Sequence, residues 1–368
     1  MIDPRWAAAR RVLAVRLDNI GDVIMLGPAL RAVRAGLPAA TLTLLASPAG
    51  ATAAPLLPWI DDVLAWRPVW QDVGHRLPFA PAREWTLIRA LAERRFDAAL
   101  LFTSFSQTPH VPGYVCYLAG IPLRAGESKE FGGSTLTTAL PPAPDALHQV
   151  ERNLRLVEAL GFPVADRRLR VTIPPEGWRE AAALLRSLGL RERSYVLLHP
   201  GASAAARRYP TPACGEVARL LVARGWPVLV TATEREAALA AAVVARAPGA
   251  LPLVGQTRLA AFAALIARAA VVICGNTLPL HLADALGVPV VALYSGTDYE
   301  AQWRPRTVPH RLLRRPTACY PCYRFDCPIG QPCLAVPPAA VVAAVEELAA
   351  SSRADRSLAE PAAVGGDR

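Results

Sequence analysis

Short, almost unbroken apolar segments alternate along the chain with longer segments in which apolar residues recur at helical spacing. Uninterrupted apolar strands separated by amphipathic helices are typical of parallel sheets built from β-α-β units. The predicted strands are 12–17, 41–46, 62–66 and 97–102 in the first half, and 195–199, 227–231, 270–274 and 288–294 in the second. The predicted helices are 22–35, 84–95, 148–160, 212–224, 234–246, 259–268, 277–286 and 338–350.

A Pro- and Arg-rich stretch interrupts this alternation near the middle of the 368 residues. We therefore predict an α/β protein with two Rossmann-like domains that face a central cleft. The N-terminal domain covers 1–165, the linker 166–176 and the C-terminal domain 177–350, which includes a final helix. The polar, Gly- and Ala-rich segment 351–368 is predicted to be disordered.

The first predicted strand runs directly into a small turn that carries Asp18, Gly21 and Asp22. In open α/β sheets, ligands bind at such turns, outside the carboxyl ends of the strands. Asp22 is expected either to cap the following helix or to act as a general base, and its residue type alone favours the cap. Asp18 is expected to hold the turn by accepting N–H groups, while Gly21 permits a close approach.

A second turn of this kind follows the strand 270–274 and contains Gly275, Asn276 and Thr277. Thr277 is a candidate N-cap, and the helix that begins here offers its N-terminal N–H groups to an anion. Leu278 lies at the start of this helix, and His281 lies about one turn further on. A histidine in an apolar helix is often a core residue, and its closeness to this helix end makes a functional role equally plausible.

The strand 195–199 ends in a third polar loop, with Gly201, Ser203 and Arg207. A hydroxyl, free backbone N–H groups and a guanidinium after a strand are suited to a diphosphate. An ordinary arginine-rich surface loop has the same composition, so the loop by itself does not decide between the two.

The charge of the chain favours anionic partners. Its net charge is +10, and Lys129 is its only lysine, so nearly all positive charge is on arginine. Arginine suits phosphate and carboxylate, although a coding bias also explains much of its abundance. No basic run or basic-aromatic strand indicates nucleic acid. The apolar runs are shorter than the roughly 18 residues of a membrane span, and the N-terminus lacks a signal-peptide pattern, so a cytoplasmic protein is expected.

Four of the seven cysteines fall close together, at Cys319, Cys322, Cys327 and Cys333. Four thiolates can enclose a tetrahedral metal ion. The gaps after the first pair do not follow a standard zinc spacing, and three prolines stiffen the segment. We favour a loop of reduced thiols and keep a structural metal site at these cysteines as the alternative.

Taken together, the motifs resemble those of glycosyltransferase family nine, the ADP-heptose:lipopolysaccharide heptosyltransferases. The resemblance rests on residues 15–30 with Gly-Asp-Val, on His-Pro-Gly-Ala-Ser at 199–203 followed by Arg-Arg-Tyr-Pro at 207–210, and on 276–293. These motifs appear in the family's order and span nearly the whole chain.

The resemblance implies a type B glycosyltransferase fold and an inverting transfer from a nucleotide-diphosphate sugar, with no required cofactor. It implies that Asp22 deprotonates the acceptor hydroxyl. Ser203 and Arg207 would meet the donor diphosphate and Glu234 the nucleoside. Thr277, Leu278 and His281 fall where the family's diphosphate-binding helix begins.

The expected reaction moves a heptose or related sugar from an ADP-sugar to a lipopolysaccharide-core or similar anionic glycolipid. Arg31, Arg34 and Arg124 are expected to meet acceptor anions, with peripheral contact at the cytoplasmic face of the inner membrane. The chain departs from the family where Asn276 replaces an aspartate and Leu278 a glycine. Two alternatives therefore stay open: a catalytically impaired nucleotide-sugar-binding protein, and a protein-modifying heptosyltransferase with a four-cysteine metal site.

Overall fold

The chain forms two compact units, each with its own parallel sheet. The computed structural model describes residues 1–72, 74–104 and 107–359, with 353–359 described by their backbone only. The first unit comprises Met1–Pro174 and Ala301–Trp303, and the second comprises Pro175–Glu300 and the chain from Arg304. The division at Pro174 lies within the segment that the sequence predicts as a linker.

The first unit is built on a six-stranded parallel sheet with the order β3-β2-β1-β4-β5-β6. Its strands are β1 (Arg11–Arg16), β2 (Thr41–Ala46), β3 (Asp62–Ala65), β4 (Ala98–Leu101), β5 (Leu123–Glu127) and β6 (Thr138–Leu140). Its helices are α1 (Pro4–Ala7), α2 (Ile20–Ile24), α3 (Gly27–Gly36), α4 (Pro81–Arg94), α5 (His110–Leu118) and α6 (Gln149–Ala159). Five of the six residues of β1 are buried, as expected for a central strand covered on both faces.

The second unit repeats this topology, with the order β12-β11-β10-β7-β8-β9 and parallel pairing throughout. Its strands are β7 (Val196–His199), β8 (Val228–Ala232), β9 (Leu251–Val254), β10 (Val271–Cys274), β11 (Val290–Leu293) and β12 (His310–Leu313). Its helices are α7 (Pro175–Ser187), α8 (Thr211–Ala223), α9 (Ala237–Arg246), α10 (Leu259–Ala267) and α11 (Leu278–Leu286), followed by α13 (Pro338–Ala359). The short α12 (Glu300–Trp303) lies at the division between the two units.

The predicted α/β class with two parallel sheets is confirmed. The structure adds elements that the apolar pattern did not predict, namely β5, β6, β9, β12, α1, α5, α7 and α12. The strand β9 contains Pro252, which lacks the N–H that a central strand needs, and β9 lies accordingly at the edge of its sheet.

Two predicted helices differ in their bounds. The predicted helix 22–35 is divided into α2 and α3, and Pro28 stands in the first turn of α3, where its missing N–H costs nothing. The final helix α13 continues past residue 350 to Ala359, so the start of the tail predicted to be disordered is helical. No proline or glycine interrupts residues 351–359, and the rest of that tail, 360–368, lies outside the described residues.

In the part of the chain that the structure describes, no helix is both long and apolar enough to cross a lipid bilayer.

The unpredicted strand β5 carries a buried carboxylate. Glu127 is 7% exposed and forms ion pairs with Arg152, at 2.5 Å, and with Arg155, at 2.8 Å. Its Oε1 also accepts the backbone N–H of Ala143 at 2.9 Å. These contacts explain how a charged residue is accommodated within the sheet.

We expect Glu127→Ala to lower the free energy of unfolding by about 3 kcal/mol, because Arg152 loses its buried partner. Denaturant titration of the purified protein measures this value. Glu216→Ala is the matched control, because the Glu216–Arg219 pair is exposed and such pairs contribute little to stability. Equal losses in the two variants would contradict the assignment.

Candidate active site

Both sheets reverse their strand order at one place. In the first unit the reversal lies between β1 and β4, and in the second it lies between β7 and β10. In open α/β sheets, the crevice outside the carboxyl ends of the strands at such a point is the usual ligand site. The turns singled out from the sequence follow β1, β7 and β10, so they lie at these two places.

A buried arginine organises the site of the first unit. Arg16 ends β1, and its side chain is 0% exposed. Its Nε lies 2.9 Å from Asp18 Oδ2, and its Nη2 lies 3.1 Å from Asp22 Oδ1 and donates to Ser104 Oγ at 2.8 Å. One guanidinium therefore joins two carboxylates of the β1–α2 turn to the segment that follows β4.

Asp22, the predicted base, is the third residue of α2. Its Oδ2 accepts the backbone N–H of Asn19 at 3.1 Å, while Oδ1 faces Arg16. The side chain keeps 16% exposure. The capping and catalytic interpretations are thus compatible, because one carboxylate can cap the helix through Oδ2 and still reach solvent.

Asp18 holds the turn through side chains. Its Oδ1 accepts from Gln107 Nε2 at 2.5 Å, and its backbone carbonyl accepts from Ser47 Oγ at 2.6 Å. Burial raises the pKa of the Asp18 carboxyl, and Arg16 opposes that shift. A backbone N–H of this turn, that of Asn19, is accepted by Asp22, and Gly21 is buried in the first turn of α2.

The loop after β7 is packed against the end of β8. His199 Nδ1 lies 3.1 Å from Thr231 Oγ1, and burial lowers the pKa of His199. A Cβ at Gly201 would overlap the Glu236 carboxylate, so glycine at this position leaves room for that side chain. Ser203 is exposed further along the loop.

Arg207 links this loop to the other side of the strand reversal. Its Nη2 pairs with Asp298 Oδ2 at 2.8 Å, and its Nε donates to Thr297 Oγ1 at 3.2 Å. A Cβ added at Gly275 would lie 3.0 Å from the carbonyl oxygen of Arg207. The predicted residues Arg207 and Gly275 are therefore neighbours, and 26% of the Arg207 side chain remains exposed.

The turn after β10 differs in detail from its prediction. Thr277 occupies the N-cap position of α11, but its side chain makes no capping hydrogen bond. Its Oγ1 is inaccessible to solvent and has no hydrogen-bond partner among the described residues. Asn276 donates from Nδ2 to Tyr294 Oη at 3.4 Å. Leu278 is the first helical residue, outside the left-handed region, so a side chain fits there without strain.

His281 lies in α11 and is 6% exposed. Burial lowers its pKa to about 4, against a smaller opposing effect of Asp284. The imidazole is therefore neutral at pH 7.

Glu234 lies in a different loop from the residues predicted to bind the donor diphosphate. It follows β8 in a short turn and is exposed, and its carboxylate lies over Gly255, the residue after β9. The structure thus places Glu234 toward the β8–β9 side of the second sheet.

The four cysteines of the C-terminal loop differ in their environments. Cys319 is exposed, Cys322 and Cys327 are half-buried, and Cys333 belongs to the hydrophobic core. Among the described residues, no three Cys, His, Asp or Glu side chains are grouped closely enough to hold a metal ion. The alternative of a four-cysteine metal site stays a prediction.

Sequence reasoning missed the residues that hold the predicted ones in place. These are Arg16, Ser104, Gln107, Glu236, Thr297 and Asp298. One signal was available for Arg16, a charged residue inside an otherwise apolar strand. The others are polar loop residues, and only the strand order brings them to the site.

Two α/β units with polar turns at both strand reversals, one rich in carboxylate and one in arginine, offer a ligand site at the carboxyl ends of the strands of each sheet. Residues 84–332 match the model of glycosyltransferase family 9 (heptosyltransferase). The chain therefore belongs to glycosyltransferase family 9, which confirms the predicted family and the predicted class of enzyme.

The relatives agree with this assignment. Lipopolysaccharide heptosyltransferase 3 of Escherichia coli strain K12 is 30% identical over 164 residues, 44% of this chain and 47% of the relative. The chain thus spans about half the length of that relative. Lipopolysaccharide heptosyltransferase 2 of the same strain is 28% identical over 301 residues, 77% of this chain and 82% of the relative.

A solved structure has the same fold. The E. coli ADP-heptose lps heptosyltransferase II superposes with a TM-score of 0.73 at 20% identity, covering 93% of this chain and 99% of that one. At this identity the likeness concerns the fold, and it confirms the predicted type B class.

The neutral His281 predicts a pH dependence of stability. Its folded pKa of about 4 lies below the ordinary value of 6.5, so the unfolded chain binds the proton more readily between these values. The His281 contribution to stability therefore falls as pH drops from 6.5 toward 4, by up to about 3 kcal/mol. Denaturant unfolding at pH 7 and pH 5 should show about 2 kcal/mol of this loss, because pH 5 lies between the two pKa values, and the loss should be smaller in His281→Gln. Equal losses in the variant and the wild type would contradict it.

Proposed function

We propose that this protein is an inverting glycosyltransferase that moves a heptose, or a related sugar, from an ADP-sugar to a lipopolysaccharide-core or similar anionic glycolipid. Membership of family 9 supports the reaction class. Two relatives named as lipopolysaccharide heptosyltransferases support the acceptor class, and the ADP-heptose enzyme of the same fold supports the donor. The observation that carries the proposal is the geometry of Asp22.

In the proposed step, the acceptor hydroxyl attacks the anomeric carbon while the bond from that carbon to the diphosphate oxygen breaks. Asp22 takes the hydroxyl proton through its partly exposed carboxylate. Arg16 and the Asn19 N–H fix its two oxygens, so the carboxylate is oriented before the acceptor arrives. Arg16 is a positioning residue in this proposal, since it acts through Asp22.

The donor diphosphate is assigned to the second unit. Its negative charge grows as the sugar leaves, and Arg207 and the N-terminus of α11 supply fixed positive potential for it. The solvent-inaccessible Thr277 Oγ1 is a further donor at that helix end, and Ser203 lies on the loop that leads to Arg207. In this assignment the charge is met by protein groups, and no metal cofactor is required.

Glu234 is assigned to the donor nucleoside. Its exposed carboxylate follows β8, and a carboxylate in this region of a Rossmann-like unit can accept hydrogen bonds from ribose hydroxyls. His281 is assigned a packing role below the diphosphate site, because it is buried and neutral at pH 7.

The departures from the family pattern do not favour a catalytically impaired protein. Leu278 adopts helical backbone without strain, and Asn276 is bonded to Tyr294. We infer that these residues adjust the sugar specificity of the donor site.

We further propose that the acceptor is met at the cytoplasmic face of the inner membrane, in keeping with the net charge of +10. The arginines expected to serve this contact are engaged elsewhere. Arg124 is 6% exposed and donates to backbone carbonyls, among them that of Thr135 at 2.8 Å. Arg31 donates to the Asp166 carbonyl at 2.6 Å, and Arg34 donates to that of Ala40 at 2.6 Å. We infer that other basic side chains contribute to the contact.

A transfer assay tests the proposal directly. Wild-type protein with ADP-heptose and a heptose-deficient lipopolysaccharide acceptor should release ADP, while Asp22→Asn should lower kcat by about 10² to 10⁴-fold. Donor binding should persist in the variant, because Asp22 is assigned to the acceptor step. ADP release by Asp22→Asn at the wild-type rate would overturn the role of Asp22. If wild-type protein releases no nucleoside diphosphate from ADP-, GDP- or UDP-sugars, the proposed function is overturned.

The role of Arg16 is tested by Arg16→Lys, with Arg124→Lys as the matched control. Both guanidiniums are buried in the first unit, so both changes should lower thermal stability. Only Arg16→Lys should also lower kcat, by about 10²-fold if Asp22 is misplaced by an ångström. The KM for the donor should stay the same. A similar kcat in the two variants would reduce Arg16 to a structural residue.

A further inference from the structure

The loop that carries the four cysteines has no part in the function proposed above. We call residues 317–333 the cysteine loop. Its backbone and side chains contact the two segments that hold Arg207, namely the turn Ala205–Arg207 and the segment 296–298 that follows β11. We propose that the cysteine loop is a clamp that positions Arg207 for the donor diphosphate, an inference that rests on the donor site proposed above.

One side of the clamp holds the partners of the Arg207 side chain. The N–H of Cys322 donates to the carbonyl of Gly296 at 3.0 Å, and the N–H of Tyr323 donates to that of Thr297 at 2.8 Å. Thr297 and Asp298 are the two residues that receive the Arg207 guanidinium. The loop thus fixes the backbone from which these acceptors project.

The other side holds the backbone of Arg207 itself. The N–H of Ala206 donates to the carbonyl of Phe325 at 2.9 Å. Gln331 donates from Nε2 to the carbonyl of Ala205 at 2.5 Å, and its own N–H donates to Cys327 Sγ at 3.3 Å. The guanidinium and its acceptors are therefore fastened to the same loop.

The backbone conformation of the loop supports this role. Tyr323 has φ of 52° and Gln331 has φ of 58°, which are left-handed values that side chains with a Cβ rarely adopt. Each costs on the order of 1–2 kcal/mol, and such conformations persist where the surroundings impose them and where function uses them. Tyr323 and Gln331 are also residues that bond to the two segments around Arg207.

The variant Gln331→Gly separates a positioning role from a merely structural one. Glycine adopts the left-handed conformation freely, so the strain is relieved while the bond to Ala205 is lost. The clamp predicts nearly unchanged thermal stability and a dissociation constant for ADP raised about three- to tenfold, the equivalent of one net hydrogen bond. The same change should raise the donor KM and leave the acceptor KM as it is.

Arg193→Gly is the matched control, because Arg193 lies in the second unit with φ of 56° and its backbone N–H donates to the carbonyl of Arg268, not to the Arg207 segments. Calorimetric titration with ADP should show wild-type affinity for it. Arg207→Ala should weaken ADP binding, and combining it with Gln331→Gly should add no further loss, because the clamp acts through Arg207.

The outcomes separate the two proposals. If Arg207→Ala weakens ADP binding and Gln331→Gly does not, the clamp is overturned and the donor site stands. If Arg207→Ala leaves binding unchanged, the donor assignment of Arg207 is overturned, and the clamp with it. A second readout needs no nucleotide: the Nε–H NMR signal of Arg207, identified by its loss in Arg207→Ala, should move in Gln331→Gly and not in Arg193→Gly. An unmoved signal in Gln331→Gly overturns the clamp.

Discussion

The constraint on which the first unit depends is a guanidinium that is fully withdrawn from water. A buried charge is tolerated only with charged or hydrogen-bonding partners close by. Arg16 has such partners in the two segments that follow the carboxyl ends of β1 and β4. Asp18 and Asp22 come from the turn after β1, and Ser104 comes from the segment after β4. Hydrogen bonds to Ser104 and from Gln107 thereby join the two sides of the strand reversal, and Asp22, which keeps 16% exposure, is held by two donors.

The second unit has the same sheet topology, but its arginine and carboxylate differ from those of the first unit in burial. Here the arginine is half-buried and its carboxylate partner, Asp298, is 4% exposed. An arginine that keeps solvent contact can receive an anionic ligand, whereas one that is wholly buried can only orient its neighbours. The different burial of Arg16 and Arg207 therefore explains why one common fold can offer a base on one unit and an anion site on the other.

The predictability of the fold follows the distribution of apolar residues. The central strands β1, β2, β7 and β10 are buried on both faces and read as apolar runs, so the sequence predicts them within a residue or so. The sequence does not predict the strands β5 and β9, because charged residues and proline are uncommon in strands, and these two contain Arg124, Glu127 and Pro252. Tertiary contacts pair the charges of Arg124 and Glu127. The missing N–H of Pro252 is tolerated because β9 lies at the edge of its sheet. The same holds at the site, where the motifs predict Asp22 and Arg207 but not Gln107, Thr297 or Asp298.

The second carboxylate on Arg16 has a consequence for the base. The guanidinium of Arg16 is shared between Asp18 and Asp22 and is not paired with Asp22 alone. Because Asp18 shares the guanidinium, the three groups together carry a net negative charge when both carboxylates are ionised. Burial and the neighbouring Asp22 carboxylate raise the pKa of Asp18, while the charge of Arg16 and the hydrogen bond from Gln107 oppose this rise without cancelling it. The segment after β4 thus supplies Gln107 to Asp18 and Ser104 to Arg16, so it helps to hold both the position and the charge of the turn that presents Asp22.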